Sequence, residues 1–186
     1  MKKEKNILFF LFFLFVFLIL FLLFLKIKGY FIKESKVYIY LTHQNDQTYL
    51  VPVVRKIKYT KKIEEKIKNA INELFKGPTE EEKEAGLSTS LNEDSKLLNV
   101  SIEKDTVNLD FSKNIEEGGG TSLMETRIAQ IVYTATQFPE IKKVRFLIEG
   151  KTINYFSGEG ITIVEKPVSR EDLKEFDIKI KEGGEL

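Results

Sequence analysis

The side chains best suited to chemistry are four glutamates within residues 77–90, GPTEEEKEAGLSTS: Glu80, Glu81, Glu82 and Glu84. Carboxylates can hold a divalent cation, and they can act as general acid and base. Consecutive carboxylates, however, fan out around a helix, and no histidine lies near them in the sequence to complete a ligand set. Thr79 and Glu82 have the spacing of a capping box, so the segment predicts a short helix capped at its N-terminus.

Other candidates for catalysis are few. His43 is the only histidine in the chain, and it falls in a predicted hairpin turn, where a solvated side chain is expected rather than a general base. Residues 116–122, EEGGGTS, place three glycines before a predicted helix, where an anion could bind, but the lysine and the spacing of a phosphate loop are missing. We predict a flexible loop and cap there, and no catalytic residue, metal site or cofactor.

An uninterrupted apolar segment begins at Ile7 and ends at Leu25. At about 1.5 Å per residue, its length is close to the roughly 30 Å of a bilayer's hydrocarbon core. Lysines follow it directly, without a small-residue cleavage site, which predicts an uncleaved signal anchor over residues 1–28. Three lysines precede the segment and two follow it, so the N-terminus is expected in the cytoplasm and the C-terminal part outside the cytoplasmic membrane.

The composition of the remaining chain excludes several classes of protein. Without the five lysines and one glutamate of residues 1–28, the chain has 24 basic and 27 acidic side chains, so it lacks the positive charge of a nucleic-acid-binding protein. The sequence contains no cysteine, which excludes a disulfide framework, a thiolate zinc site and a lipid-modified cysteine. The predicted domain must therefore be stabilised by packing alone.

Two strand-like runs follow a short connector, residues 29–35. Residues 36–42 and 48–57 are rich in β-branched and aromatic side chains and predict a hairpin. Pro52 cannot donate a backbone hydrogen bond, so it indicates an edge position or a bulge in the second strand.

Two helices and two further hairpins follow. Apolar residues at spacings of three and four predict a helix that Thr60 caps and that ends at Gly77. Residues 96–103 and 106–111 predict the second hairpin. A second helix should begin near Thr121 or Ser122, with Ser122 and Glu125 as a capping box, and should end at Pro139.

The last predicted elements are a strand with a short return strand, over residues 142–156, and a small helix capped by Ser169 and Asp172. This order of elements predicts an α+β domain over residues 36–176, with two helices packed on one face of a mixed or antiparallel sheet. Residues 177–186 form a tail without predicted structure.

Three stretches, taken together, resemble the GerM domain, a family of bacterial sporulation and spore-germination proteins. They are INELFKGPTEEEKEAGLSTS, LLNVSIEKDTVNLDFS and ETRIAQIVYTATQFPEIKKVRFLIEGKTINYF. The resemblance covers about residues 37–176, and it implies an extracytoplasmic domain similar to the ring-building modules of sporulation channels, which pack the helices of one copy against the sheet of the next. It also implies no catalytic residues. Unlike family members that are lipoproteins, this chain has a helical anchor.

Three functions stay open at this point. The first is assembly in spore or cell-envelope structures, by self-association or with an envelope protein, for which Lys61, Lys66 and Arg127 are candidate contact residues. The second is binding of a cell-wall polymer or a signal molecule. Candidate ligand-binding side chains are Tyr38, Tyr40, Tyr49 and Tyr155. The third is a wall hydrolase that uses two carboxylates.

The second predicted helix carries a polar flank beside its apolar stripe. Its members are Arg127, Gln130, Tyr133 and Gln137. Side chains in such a pattern are usually a solvated helix face, and in an assembly domain they would be available for contacts.

Overall fold

The computed structural model describes residues 2–30, 33–157 and 160–181. The chain divides into two units, Met1–Glu34 and Ser35–Leu186. Residues 31 and 32 of the predicted connector, and residues 182–186 of the predicted tail, lie outside the described residues.

The first unit is built on helix α1, Lys2–Tyr30. Its window Phe9–Lys26 has a mean hydropathy of 3.0. Phenylalanines one turn apart contact each other along this helix, as in Phe9 and Phe13, whose ring centroids are 5.5 Å apart. By length and composition α1 can cross a membrane, a property that signal sequences share.

The second unit begins with a hairpin, as predicted. Strands β1, Glu34–His43, and β2, Asp46–Lys58, are joined by a two-residue turn. Short strands extend both sides of this hairpin: β3, Leu87–Ser88, pairs antiparallel with β1, and β8, Lys179–Ile180, pairs parallel with β2. The first sheet therefore has the order β3-β1-β2-β8, and its β8 comes from residues predicted to be a tail.

Pro52 occupies the outer edge of β2. The amide of Lys181 donates to the carbonyl of Leu50, which therefore faces β8. Backbone groups two residues apart face the same edge of a regular strand, so the nitrogen of Pro52 faces this edge too. The pairing with β8 ends at Leu50, and the missing donor of Pro52 thus falls beyond the paired stretch, in agreement with the predicted edge position.

The second sheet has the order β4-β5-β6-β7. Its strands are β4, Leu97–Glu103; β5, Thr106–Phe111; β6, Lys143–Ile148; and β7, Lys151–Thr152. The predicted hairpins are present as β4-β5 and β6-β7, but β5 and β6 are parallel and are connected through the helix Thr121–Ala135. This β-α-β connection makes the second sheet mixed, which is one of the two arrangements predicted.

Helices α2, Ile63–Phe75, and α4, Thr121–Ala135, lie in contact with both sheets: α2 contacts β4 and β2, and α4 contacts β6 and β2. One continuous core results. It includes Ile39 and Leu41 of the first sheet, Ile67 and Ile131 of the helices, and Phe146 of the second sheet. The α+β class is confirmed, but the apolar helix stripes pack into two four-stranded sheets instead of one.

Two of the predicted helix caps are wrong. The residue preceding α2 is Lys62, without a side-chain cap, and the hydroxyl of Thr60 instead donates to the Glu65 carboxylate at 2.5 Å. The residue preceding α4 is Gly120, so Ser122 already lies inside the helix. In both cases the chain enters the helix one or two residues away from the residue whose side chain suits a cap.

The predicted end of α2 and the predicted cap near the C-terminus are present, whereas α4 ends at Ala135, before the predicted end at Pro139. Gly77 has a φ of +69°, the left-handed conformation expected after α2. Its amide donates to the carbonyl of Leu74 at 3.0 Å. Near the C-terminus, the Ser169 amide and hydroxyl donate to the Asp172 carboxylate at 2.7 and 2.6 Å, and the short 3-10 helix Asp172–Phe176 follows.

Candidate interaction site

The glutamate segment forms a structural joint. Helix α3, Glu80–Glu84, carries the predicted capping box: the Glu82 amide donates to the Thr79 hydroxyl at 3.3 Å, and the Thr79 amide donates to the Glu82 carboxylate at 2.8 Å. The Arg55 guanidinium on β2 also donates to both oxygens of Glu82, at 2.7 and 2.6 Å. Glu82 is therefore held by a two-point ion pair that ties α3 to the first sheet.

The Arg55 hydrogen bond is the main reason why the pKa of Glu82 is lowered in the folded protein, and the bonds from Thr79 act in the same direction. Both side chains of the pair are mostly buried, with 14% and 13% of their surface exposed. The carboxylate is thus occupied by internal partners, which leaves it poorly placed for acid-base chemistry.

Replacing Glu82 with glutamine should lower the free energy of unfolding by about 1–3 kcal/mol at pH 7, because Arg55 loses its charged partner. A lowered folded pKa contributes stability above the ordinary glutamate pKa of about 4.3, and this contribution is lost as the pH falls through the folded pKa. The wild type and Glu82→Gln should therefore converge in acid. Urea unfolding of the wild type and of Glu82→Gln, at pH 7 and at an acidic pH below the folded pKa of Glu82, measures the difference in their free energies of unfolding. The exposed Glu81→Gln is the matched control, and equal loss in the two variants at pH 7 would refute the role of the ion pair.

Arg127 is not a surface residue, contrary to the sequence prediction. Only 2% of it is exposed. Its Nε donates to the Ser90 carbonyl at 2.7 Å, its Nη1 to the carbonyls of Ile115 and Glu117 at 2.6 and 2.9 Å, and its Nη2 to that of Gly118 at 3.1 Å. Burial lowers the pKa of the guanidinium. Four carbonyl dipoles compensate this cost of burial, so Arg127 organises the loops around it and is unavailable to a partner.

The hydrogen bonds of Arg127 also explain the conformation of the glycine-containing loop, residues 116–122. The loop directs carbonyl oxygens toward Arg127, so its backbone serves as an acceptor set for a cation. Gly119 has a φ of +97°, and a β-carbon there would lie 2.1 Å from Cδ2 of Leu123. Gly119 is therefore required by the close packing of the loop on α4, whereas a β-carbon at Gly118 or Gly120 would meet no atom within 4 Å.

Two members of the predicted polar flank, Gln130 on α4 and Gln137 just beyond its end, contact strand β1 of the first sheet together with Thr134. Gln137 bridges both backbone groups of Tyr38, donating to its carbonyl and accepting from its amide, each at 2.7 Å. Thr134 accepts from the Tyr40 amide at 3.2 Å, and Gln130 donates to the Tyr40 carbonyl at 2.6 Å. These side chains satisfy the edge of β1 where β3 does not reach, since the β1-β3 pairing involves Thr42 and His43 only.

The polar flank could have been recognised from its spacing. Gln130 and Gln137 of this flank recur with Thr134 at intervals of four and three, which places these three residues along one side of a helix. A stripe of uncharged amides and a hydroxyl can follow a strand edge, whereas a solvated face usually carries charges. The apolar pattern of the second helix did not by itself indicate that its polar side is buried as well.

Lys61 and Lys66 lie on the exposed side of the α2 region. Lys61 is exposed and precedes the helix by two residues, and Lys66 is partly exposed on the helix itself. The exposed Glu64, Glu65 and Lys68 accompany them, so this surface has charges of both signs. We call residues 61–68 with their exposed side chains the α2 surface.

The second sheet has an outer face that also carries charges of both signs. The strand register places Ser101, Asn108 and Arg145 side by side, and it places Glu103, Thr106 and Lys143 in the neighbouring row. All six side chains are at least partly exposed, whereas the alternate residues of β5 and β6, such as Leu109 and Phe146, are buried in the core. We call these two rows the outer sheet face.

A third surface is formed by aromatic residues. Tyr40 and Tyr133 have ring centroids 5.3 Å apart, and the guanidinium carbon of Arg170 lies 4.7 Å from the centre of Tyr133 and 5.9 Å from that of Tyr40. Tyr38 is two residues from Tyr40 on the same face of β1. We call these four residues the tyrosine–arginine cluster. Tyr49 lies beside β8 and Tyr155 follows β7, so the sequence prediction named two of the cluster's members and two residues elsewhere.

His43 has a structural partner: its Nδ1 accepts from the Asn45 amide at 3.2 Å within the hairpin turn. Among residues 2–30, 33–157 and 160–181, no group of three or more histidine, aspartate or glutamate side chains is arranged to hold a metal ion.

Comparison with known proteins identifies related chains. The spore germination protein GerM of Bacillus subtilis (strain 168) is 37% identical over 137 residues, which are 70% of this chain and 35% of that protein. This chain therefore spans about a third of the length of the curated relative.

Solved structures agree with this relationship. The first GerMN domain of the sporulation protein GerM from Bacillus subtilis has a TM-score of 0.57 and 28% identity, over 74% of this chain and 98% of that domain. The tandem GerMN domains of the same protein give a TM-score of 0.58 and 22% identity, over 75% of this chain and 48% of the tandem, which supports the fold. Residues 29–154 match the sequence family Germane, described as "Sporulation and spore germination", and the chain belongs to this family.

Proposed function

We propose that this protein is a non-catalytic, membrane-anchored assembly module that acts outside the cytoplasmic membrane in sporulation, germination or organisation of the cell envelope. Membership of the Germane family supports the process. Helix α1, with three lysines before its apolar segment and two after it, supports the anchor and the orientation.

The observation that carries the assembly proposal is that one domain presents two exposed surfaces with charges of both signs, one on a helix and one on a sheet. The α2 surface presents Lys61 and Lys66 with acidic neighbours, and the outer sheet face presents Glu103 among amides, hydroxyls and basic side chains. A helix of one copy can pack against the sheet of the next, which is a head-to-tail contact that can repeat. Confinement of the copies to a membrane raises their effective concentration, so each contact can be weak.

A non-catalytic role is supported by the internal hydrogen bonds of two candidate catalytic groups, Glu82 and His43. Glu82 is paired with Arg55, and His43 accepts a hydrogen bond within its own turn. Each group has an internal structural partner, so binding surfaces are the better supported basis for function.

Reversal of charge at both Lys61 and Lys66, to glutamate, should disrupt function without unfolding the domain. Both residues lie outside the core, so the melting temperature should change little. Loss of the attraction between these lysines and an acidic side chain of the next copy, such as Glu103, should weaken the contact and lower the yield of heat-resistant, germinating spores about tenfold in the native organism. Exposed Lys166→Glu, on the C-terminal segment, is the control. Wild-type spore yield from the double variant would reject the α2 surface as a contact.

A further inference from the structure

The tyrosine–arginine cluster has an exposed aromatic side chain at its margin. Tyr38 is 45% exposed, whereas most large apolar and aromatic side chains of the second unit are buried or half-buried. Its backbone is held at both the amide and the carbonyl by Gln137. The ring is therefore presented to solvent from a rigid strand, which is the arrangement of a preformed binding surface.

Arg170 is held in one orientation over the neighbouring rings. Its Nε donates to the Thr136 hydroxyl at 2.8 Å, and its Nη2 donates to the Tyr133 carbonyl at 3.1 Å. Three polar groups of the cluster have no hydrogen-bond partner within the part of the chain that the structure describes. They are Nη1 of Arg170 and the hydroxyls of Tyr40 and Tyr133. The cluster thus combines aromatic surface with several oriented polar groups that can still bind a ligand.

We propose that the tyrosine–arginine cluster binds the glycan strands of the cell wall. Pyranose rings have apolar C–H faces that pack on tyrosine rings, and their hydroxyl and acetamido groups can bond to phenols and to a guanidinium. The peptide substituents of the wall glycan also carry carboxylates, for which Arg170 is the matching cation. The location of this ligand rests on the proposed extracytoplasmic placement of the domain.

A glycan fits this cluster better than an apolar protein partner does. Tyrosine supplies both an apolar ring and a polar hydroxyl, whereas a protein hot spot of this size would normally include a fully desolvated apolar pocket. The outer sheet face contrasts with the cluster, because its two rows contain no aromatic side chain. The two surfaces therefore suit two different partners.

The test uses the full-length protein in detergent micelles and purified peptidoglycan sacculi stripped of protein by protease. The wild type should sediment with the sacculi in a saturable manner, and Tyr38→Ala should weaken the apparent affinity about tenfold or more, because the stacking surface is lost. Tyr38→Phe should retain most of the binding. Tyr155→Ala removes an equally exposed tyrosine outside the cluster and should bind as the wild type does.

Equal affinities of Tyr38→Ala and Tyr155→Ala, or no sedimentation of the wild type, would overturn the proposal. Binding only to sacculi that retain their proteins would assign the cluster to a protein partner and would also overturn it. The assay detects glycan binding by the isolated protein, so its failure leaves the assembly proposal untouched, and a failure of self-association leaves the glycan result intact.

Discussion

Replacement of Arg127 with alanine is expected to lower the free energy of unfolding by about 3–5 kcal/mol, or to prevent folding. The guanidinium donates to four carbonyl oxygens, of Ser90, Ile115, Glu117 and Gly118. Its removal leaves several buried acceptors without donors and creates a cavity beside α4. Arg127→Lys should recover only part of the loss, because an ammonium group cannot reach all four acceptors from one point.

Urea unfolding of the full-length protein in detergent micelles, followed by tyrosine fluorescence, measures this loss. Arg145→Ala is the matched control, since Arg145 lies on the outer sheet face, and its loss should cost less than about 1 kcal/mol. Amide hydrogen exchange in residues 115–120 should accelerate in Arg127→Ala. Equal stability of the two alanine variants would show that the buried hydrogen bonds contribute little.

Replacement of Ile131 with alanine should destabilise the domain by about 2–5 kcal/mol. Ile131 is fully buried on α4, in the core that unites both sheets and both helices. Deleting three methyl or methylene carbons there forfeits transfer free energy and leaves a cavity.

Urea unfolding curves of the wild type and of the variants measure this loss of stability. Ile131→Val should lose about 0.5–1.5 kcal/mol, and Leu98→Ala, at a position that is 48% exposed, should lose less than Ile131→Ala. An Ile131→Ala variant as stable as Leu98→Ala would mean that the core adapts to the cavity.

The sequence predicted the elements that local chemistry determines. The capping box of Thr79 and Glu82, the left-handed Gly77 and the three hairpins all depend on residues close together in the chain. Strands β3 and β8 escaped prediction because each has two residues and exists only through pairing with a distant partner. The parallel pairing of β5 with β6 was not predicted, because no local sequence pattern indicates which strands pair when they are far apart in the chain.

The candidate surfaces were predicted unevenly for the same reason. Lys61 and Lys66 stand on the exposed side of an amphipathic pattern, which the sequence shows directly. Arg127 was misplaced because its charge suggested solvent, whereas four backbone carbonyls from two distant loops surround it. Arg170 joins the aromatic cluster only through the tertiary fold, so no spacing in the sequence could indicate it.

Crosslinking in living cells tests most directly whether the domains lie outside the membrane and associate there. An amine-reactive crosslinker that cannot cross membranes should capture dimers and larger species of the full-length wild type on intact cells. Lys61→Arg with Lys66→Arg removes the same reactive amines but keeps the charges, and it sets the crosslinking yield expected for an intact contact. Lys61→Glu with Lys66→Glu should give far more monomer than this arginine variant, whereas Lys166→Glu should give the wild-type pattern. Only monomers from the wild type, or equal monomer fractions from the glutamate and arginine variants, would contradict the proposed assembly through the α2 surface.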